Sequence, residues 1–340
     1  MLDIFKSDPF SVFALTDAIN TPKFVPGRIG EMGLFSPNSI TTTAIGIEQK
    51  DGVLVLVEPT PRGGPGVTVD KSKSVLRYLA VPHFEIDDAI MAEEVQGIRA
   101  FGSETDLESV MGKVDERMMI HGQSMEATQE YSRIGAVKGI ITYADSTTVD
   151  LFSEFGVTQE AEVDFDLDNA NPAEGALRKK CATVIRLIAT NLQGVPWTGK
   201  ARAFCGDTFF DQLIAHPEVR ATYDGWTEAQ ILREGYIETN GKSYGAFEFG
   251  GIIFENYRGS VGATAFIDPL KCHIFPEGVP NLFRTAYAPA DYIETVNTLG
   301  KKLYMKQFTM PNDKGIRIEV QMNAMEYCTR PAVLIKGKNT

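Results

Sequence analysis

Val53-Leu54-Val55-Leu56-Val57-Glu58-Pro59-Thr60-Pro61-Arg62-Gly63-Gly64-Pro65-Gly66 is the stretch on which the fold turns. The run Val53 to Val57 reads as a strong strand, and the Pro/Gly run behind it fits neither helix nor regular strand. Upstream, Thr42 to Ile47 alternates and Lys50-Asp51-Gly52 supplies a turn signal. Downstream, Ser74 through Leu76, Tyr78 and Ala80 to Val81 is a second β stretch. Two β stretches around a Pro/Gly tip predict a long projecting hairpin. Such a hairpin has little core of its own and is marginal in isolation. Its apolar face therefore calls for a partner.

The segment before the hairpin, residues 1 to about 38, reads as an arm. Pro9, Pro22, Pro26 and Pro37 interrupt it, and Gly27, Gly30 and Gly33 loosen it, so it runs extended rather than as a long helix. Phe10, Phe13, Phe24 and Phe35 need a covering surface, which is either a neighbouring molecule or the chain's own body. Beyond Pro82 the pattern becomes helical. Asp87 or Asp88 is placed to cap a short helix reaching Val95, and Thr105 a longer one over about 105–134. In the longer helix Leu107, Val110, Met111, Val114, Met118, His121 and Met125 recur at steps of three and four, the mark of one buried stripe. Val137 to Tyr143 reads as strand, and a helix runs from Asn171-Pro172-Ala173-Glu174 to about Leu192. Strand Ala201 to Cys205, helix Asp207 to His216, and strands near Phe247–Phe249 and Ile252–Tyr257 follow. The C-terminal part offers strands at Leu303–Met310, Ile316–Met322 and Ala332–Ile335. The fold class is α+β, without a βαβ rhythm or internal repeat.

Composition narrows the function. The 33 basic and 45 acidic residues leave a formal charge of −12, and 43% of the 340 residues are hydrophobic. That is a globular chain, not a disordered one. Its acidity argues against duplex binding, which rests on clustered Lys and Arg. Residues 140–176 alone carry nine acids and no Lys or Arg. Cys181, Cys205, Cys272 and Cys328 are far apart and read as buried free thiols of a reducing compartment. Neither a signal peptide nor a membrane-length apolar run is visible, so a soluble, non-secreted protein is expected.

The chemical motifs fail in turn. Gly194-Val195-Pro196-Trp197-Thr198-Gly199-Lys200-Ala201 nearly spells a phosphate loop, but Ala201 stands where the magnesium-binding hydroxyl belongs, and helix precedes strand. Asp164-Phe165-Asp166-Leu167-Asp168 opens like a calcium loop, yet Asn169 and Gly175 hold the positions of its Gly and final Glu. An amphipathic strand with one charged face fits that stretch better. His83, His121, His216 and His273 show no metal-binding spacing, and Cys272-His273 would point to opposite faces of a strand. No cofactor, metal or catalytic residue is assigned.

Several blocks taken in order carry a resemblance that no single motif carries. Phe35-Ser36-Pro37-Asn38-Ser39-Ile40-Thr41-Thr42-Thr43, the Lys50-Asp51-Gly52 turn and Arg62-Gly63-Gly64-Pro65-Gly66 come first. Val81-Pro82-His83-Phe84 and Ala92-Glu93-Glu94-Val95-Gln96-Gly97-Ile98-Arg99-Ala100-Phe101-Gly102 follow. Pro276-Glu277-Gly278-Val279-Pro280, Tyr287-Ala288-Pro289-Ala290-Asp291-Tyr292, Glu294-Thr295-Val296-Asn297-Thr298-Leu299-Gly300 and Cys328-Thr329-Arg330-Pro331 complete the series. Together they resemble the lambda-type phage major capsid protein E family, whose members have the Hong Kong 97-type capsid fold.

The resemblance implies a coat subunit of an icosahedral dsDNA tailed-phage or prophage head. By that likeness residues 1–43 form an N-terminal arm and 44–82 an extended loop. Residues 83–171 form a peripheral domain on a spine helix, 172–300 an axial domain, and 301–340 the closing strands of the peripheral domain. The peripheral sheet is expected from strands near 137–143, 303–310, 316–322 and 332–335. Assembly contacts are expected from Val53, Val55, Val57, Arg62, Gly63, Gly64, Pro65, Gly66, Lys71 and Lys73 of the loop, and from Phe10, Phe13, Phe24 and Phe35 of the arm. The implied partners are further copies of the chain in hexamers and pentamers, a separate scaffold protein, a portal and a decoration protein. DNA is enclosed without specific binding, and no membrane is involved. A decoration protein, rather than crosslinking through Lys71 or Lys73, is the solution that lambda-like members imply. The implied place is the virion, after assembly in the host cytoplasm. The competing readings are an encapsulin-like shell of a cellular compartment and an α/β enzyme.

Overall fold

Helix and strand compete along residues 84–139, and tertiary pairing decides between them. The computed structural model describes residues 27–50, 74–95, 110–223, 236–239, 242–262, 264–311 and 314–340. Phe84–Met91, where a capped helix was expected, is a strand, and only Ala92–Val95 turns helical. It lies antiparallel to Gly315–Met322, with Met91 opposite Gly315 and Phe84 opposite Met322, and Tyr304–Thr309 flanks the other side. Asp88 is no cap here: its carboxylate takes His121 at 2.8 Å and Arg117 at 3.2 Å from the long helix packed on this small sheet. Ladder hydrogen bonds along all eight residues outweigh a weak local helix preference.

The long helix, Val110–Lys138, spans 29 residues, or about 44 Å at 1.5 Å per residue. It changes character along its length. Its first half buries a narrow stripe, Val114 and Met125, against Ile90, Ile318, Val320 and Met322 of the small sheet. Its last part is buried on most sides, with Gln129, Glu130, Ser132, Ile134, Ala136 and Val137 all enclosed. Lys138 is the last helical residue, so the strand expected to start at Val137 begins at Ile140 instead, and it pairs with Thr148–Asp150 rather than joining the small sheet as expected. The reversal needs glycine. Gly139 is left-handed at φ +82°, and a Cβ at Gly135 would sit 2.7 Å from the Ile141 Cα of that returning strand.

A seven-stranded sheet forms the other body. Its spatial order is Val163–Asp164, Ile335–Lys338, Lys271–Pro276, Ala201–Cys205, Ile252–Asn256, Lys242–Phe249 and Tyr236–Thr239. The helix Ala176–Leu192 covers it with Leu177, Cys181, Val184, Ile188 and Leu192, a helical stripe at steps of three and four. Phe204, Phe209, Phe254 and Phe275 fill the interior, with Phe204 and Phe275 centroids 5.2 Å apart. The closing strand corrects the expectation for 332–335. Residues 331–333 form a 3-10 turn, and Ile335–Lys338 joins this sheet beside Lys271–Pro276, not the small sheet. Asp164–Asp168 departs from regular strand as well, because Asp166 is left-handed at φ 54°. Phe165 and Leu167 are nevertheless buried as the alternation required.

Between the two bodies runs a three-stranded sheet of Ser36–Ser39, Phe283–Tyr287 and Ala324–Cys328. Within the expected arm, Arg28–Met32 is a short helix whose Ile29 is buried.

Candidate assembly surfaces

The hairpin is present at its base. Ala44–Lys50 pairs antiparallel with Ser74–Ala80, from Ala44 opposite Ala80 to Lys50 opposite Ser74. Alternation divides its two faces. Ile45 and Leu79, directly opposed, are buried on the subunit's own core, and Arg77 donates to the Glu154 carbonyl at 2.6 Å. The other face leaves Leu76 55% and Tyr78 67% exposed, both lying over Gly46.

A second uncovered apolar surface lies beside the small sheet. After Tyr287 the chain makes one 3-10 turn, Ile293–Thr295, stitched by the Thr295 hydroxyl donating to the Ala290 carbonyl at 2.6 Å. The turn satisfies its polar groups internally and points its apolar side chains outward: Ile293 is 96% exposed, and Val296 and Leu299 are each 62% exposed. Lys306 secures this rim, pairing with Glu294 and lying 4.7 Å from the centre of the Tyr292 ring, and Lys302 reaches Glu126 of the spine at 2.8 Å. Met305 lies against Gly122 of the spine, and Met119 and Ile120 extend the apolar surface along that helix.

The base of the arm is held by buried charge. The Glu130 carboxylate accepts from the backbone N–H of Ile29 at 2.6 Å and of Gly30 at 3.1 Å, and from the Tyr257 hydroxyl at 3.1 Å. It thus serves the first turn of the arm helix as a capping anion. Arg28 reaches on to Glu255, which is fully buried and also takes Arg202, itself paired with Glu277. One carboxylate thereby joins the arm to the large sheet. Nearby, Gln129 donates to Glu326 at 3.1 Å and to the Tyr287 hydroxyl at 3.0 Å. Burial pushes the Glu326 carboxyl up to about 7, aided by the neighbouring Glu130 charge and opposed by Gln129 and Arg133.

Of the sequence-derived assembly residues, Phe35 lies within the described residues. Its ring packs 5.2 Å from Phe283 of the same chain and is half-buried. Phe10, Phe13 and Phe24 of the arm, and Val53, Val55, Val57, Arg62, Gly63, Gly64, Pro65, Gly66, Lys71 and Lys73 of the loop, lie outside the described residues. The exposed Ile293, Val296 and Leu299 were missed, although apolar residues at steps of three between Glu, Thr and Asn were a legible signal.

The described residues carry little that resembles catalytic chemistry. All four thiols are buried; burial pushes Cys181 and Cys328 up to about 12 and Cys205 well above its ordinary value, which removes the thiolate a nucleophile needs. His273 is held down to about 3 by burial and by Lys138, Lys336 and Lys271, so it stays neutral. Glu218, lining a shallow depression of about 430 Å³, spends its carboxylate on the backbone N–H of Leu177 and Arg178. Among the described residues no helix is long and apolar enough to cross a membrane.

A large sheet with its helix, a spine helix carrying a small sheet, and the paired strands Ala44–Lys50 and Ser74–Ala80 at a hairpin base define the class: this is the Hong Kong 97-type capsid fold of tailed-phage coat proteins. The capsid of Myoviridae phage XM1 matches at TM-score 0.53 and 11% identity over 95% of each chain. The capsid of cyanophage P-SCSP1u matches at 0.52 and 11% identity over 95% of this chain and 91% of that one. The chain belongs to the phage major capsid protein E family, whose model matches residues 11–339. Its relatives include the major capsid proteins of Pseudomonas phage KPP10, 28% identical over 96% of this chain and 97% of the relative, and of Salmonella phage Felix O1, 26% identical over 96% of each. It is a major capsid protein of a tailed phage or prophage, a structural component of the virion that assembles with copies of itself.

Proposed function

We propose that the chain forms the hexamers and pentamers of an icosahedral dsDNA phage head through two attachments, the arm and the hairpin loop, carried on a self-sufficient body. The carrying observation is the split of the hairpin: Ile45 and Leu79 close on the subunit while Leu76 and Tyr78 face outward. Half-exposed apolar side chains of this kind gain about 1–2 kcal/mol each when a neighbour covers what is left open. Single contacts of that size are reversible during growth, and their sum over a closed shell makes it permanent. Gly63, Gly64 and Gly66 allow the loop to bend differently in five- and six-fold settings. Assembly in the host cytoplasm would draw on a separate scaffold protein and a portal, with a decoration protein over the finished lattice. The acidity suits an inner wall that leaves packaged DNA unbound. No enzymatic activity belongs to this role. Deleting Thr60 to Lys73 is expected to leave a folded, soluble subunit by circular dichroism and to abolish closed shells in electron micrographs. Normal shells from that deletion would remove the loop from the mechanism.

A further inference from the structure

His83, Glu85 and Asp291 come together on the solvent side of the small sheet, and their donor atoms all lie within 4.8 Å of one another. His83 and Glu85 sit two residues apart in an extended segment, so they share a face. Asp291 arrives from the loop after Tyr287, more than 200 positions later in the chain.

Two buried amides position this set. Asn323, 5% exposed, donates its Nδ2 to the Pro289 carbonyl at 2.9 Å, which orients the amide. Its Oδ1 then faces His83 Nδ1 at 2.7 Å, so Nδ1 must carry a proton. Gln321, 1% exposed, donates to Asp291 Oδ1 at 2.6 Å. The imidazole nitrogen left over, Nε2, points at Glu85 Oε2 from 3.2 Å. In the neutral imidazole these are two lone-pair acceptors facing each other, with a second carboxylate alongside. Among the described residues no Lys or Arg lies within ion-pair distance of Glu85 or Asp291; Arg317, which feels the Glu85 charge from farther off, gives its guanidinium to Asp87 and Glu319. A cation belongs between these groups, either a second proton on the ring or a metal ion.

We propose that His83 Nε2, Glu85 and Asp291 bind a divalent transition-metal ion, with zinc(II) the best fit and water completing the coordination. Ligand atoms about 2.0–2.1 Å from a tetrahedral zinc stand about 3.3 Å apart, close to the His83–Glu85 separation. A histidine with two carboxylates selects zinc, cobalt or manganese over calcium and magnesium, which prefer all-oxygen sites. A ring nitrogen held by an outer hydrogen bond, with its other nitrogen facing the ligands, is how proteins orient metal-binding histidines. The ion would pin the loop bearing the exposed Ile293 turn to the small sheet.

Equilibrium dialysis of the purified, tag-free full-length chain against zinc chloride, read by mass spectrometry of the metal, tests this. One zinc per subunit is expected, with at least tenfold weaker binding for His83→Ala and for Glu85→Gln, whose exposed side chain keeps the second variant foldable. Zinc should raise the thermal midpoint of the wild type and leave that of either variant unchanged. Equal zinc uptake by wild type and both variants, or none by the wild type, would overturn the site and assign the cluster to a protonated imidazole. Calcium bound as tightly as zinc would overturn it too.

Discussion

The large sheet and the small sheet solve different problems with the same kind of material. The first encloses its aromatic residues, with Phe204, Phe254 and Phe275 all inaccessible, between helices and a closing C-terminal strand. The second stands on the narrow half of the spine over a few side chains, Ile90, Val114, Ile318 and Val320, beside a rim that leaves Ile293, Val296 and Leu299 in water. A lone subunit therefore completes one core and leaves the other bordered by apolar surface. The large body encloses its apolar side chains within one subunit, whereas the hairpin base, the spine and the rim leave Leu76, Tyr78, Met119, Ile293, Val296 and Leu299 exposed.

The strongest challenge to that contrast is Glu255→Ala. It would remove the buried anion that Arg28 and Arg202 share and is expected to cost about 3–5 kcal/mol in urea unfolding of the subunit. A loss under about 1 kcal/mol would mean that the arm is not locked to the large sheet by this charge.

Next in size is the seam between the bodies, where Glu326 lies. Its carboxyl keeps its proton up to about 7 in the folded chain and releases it near 4.5 when unfolded. Between those values the folded state binds more protons, so stability is full at the acid end of this window and falls as pH rises through it. The drop is of the order of 3 kcal/mol, and Glu326→Gln should flatten it in denaturation curves at pH 5 and pH 8. An unchanged slope in the variant would place the pH response elsewhere.

A smaller effect separates the small core from its rim. Ile318→Val, inside the core, should cost about 0.5–1.5 kcal/mol. Ile293→Ser with Leu299→Ser should change subunit stability by no more than about 0.5 kcal/mol. If neighbours cover the rim, the same pair of changes raises the concentration needed for shells roughly tenfold or more, measured by light scattering. Shell formation unaltered by the double variant would leave the rim a passive surface.

Much of the fold was legible because local periodicity carries it. The stripe from Val114 to Met125 marked the spine, and Ala201–Cys205 and the Leu177–Ile188 stripe were placed where the structure has them. The errors cluster where two local preferences are nearly equal. Phe84–Met91 alternates imperfectly, and only the ladder with Gly315–Met322 settles it as strand. The candidate sites were less legible. The loop and arm residues singled out for their composition fall mostly outside the described residues. Phe35, from the same list, packs on Phe283 of its own subunit. The rim's spacing of Ile293, Val296 and Leu299 was visible, but spacing alone does not say whether such a face is covered by the chain's own body, and here it is not.

The chain's own order of residues determined its two long helices, the paired strands at the hairpin base and its membership of a coat-protein family, since turn chemistry and three- and two-residue periods act over a few neighbours. Only the tertiary structure decided which sheet Ile335–Lys338 completes, which carboxylates go without water, and that His83 and Asp291 meet. Those outcomes depend on strand partners and register between segments hundreds of residues apart, and no short stretch contains that information.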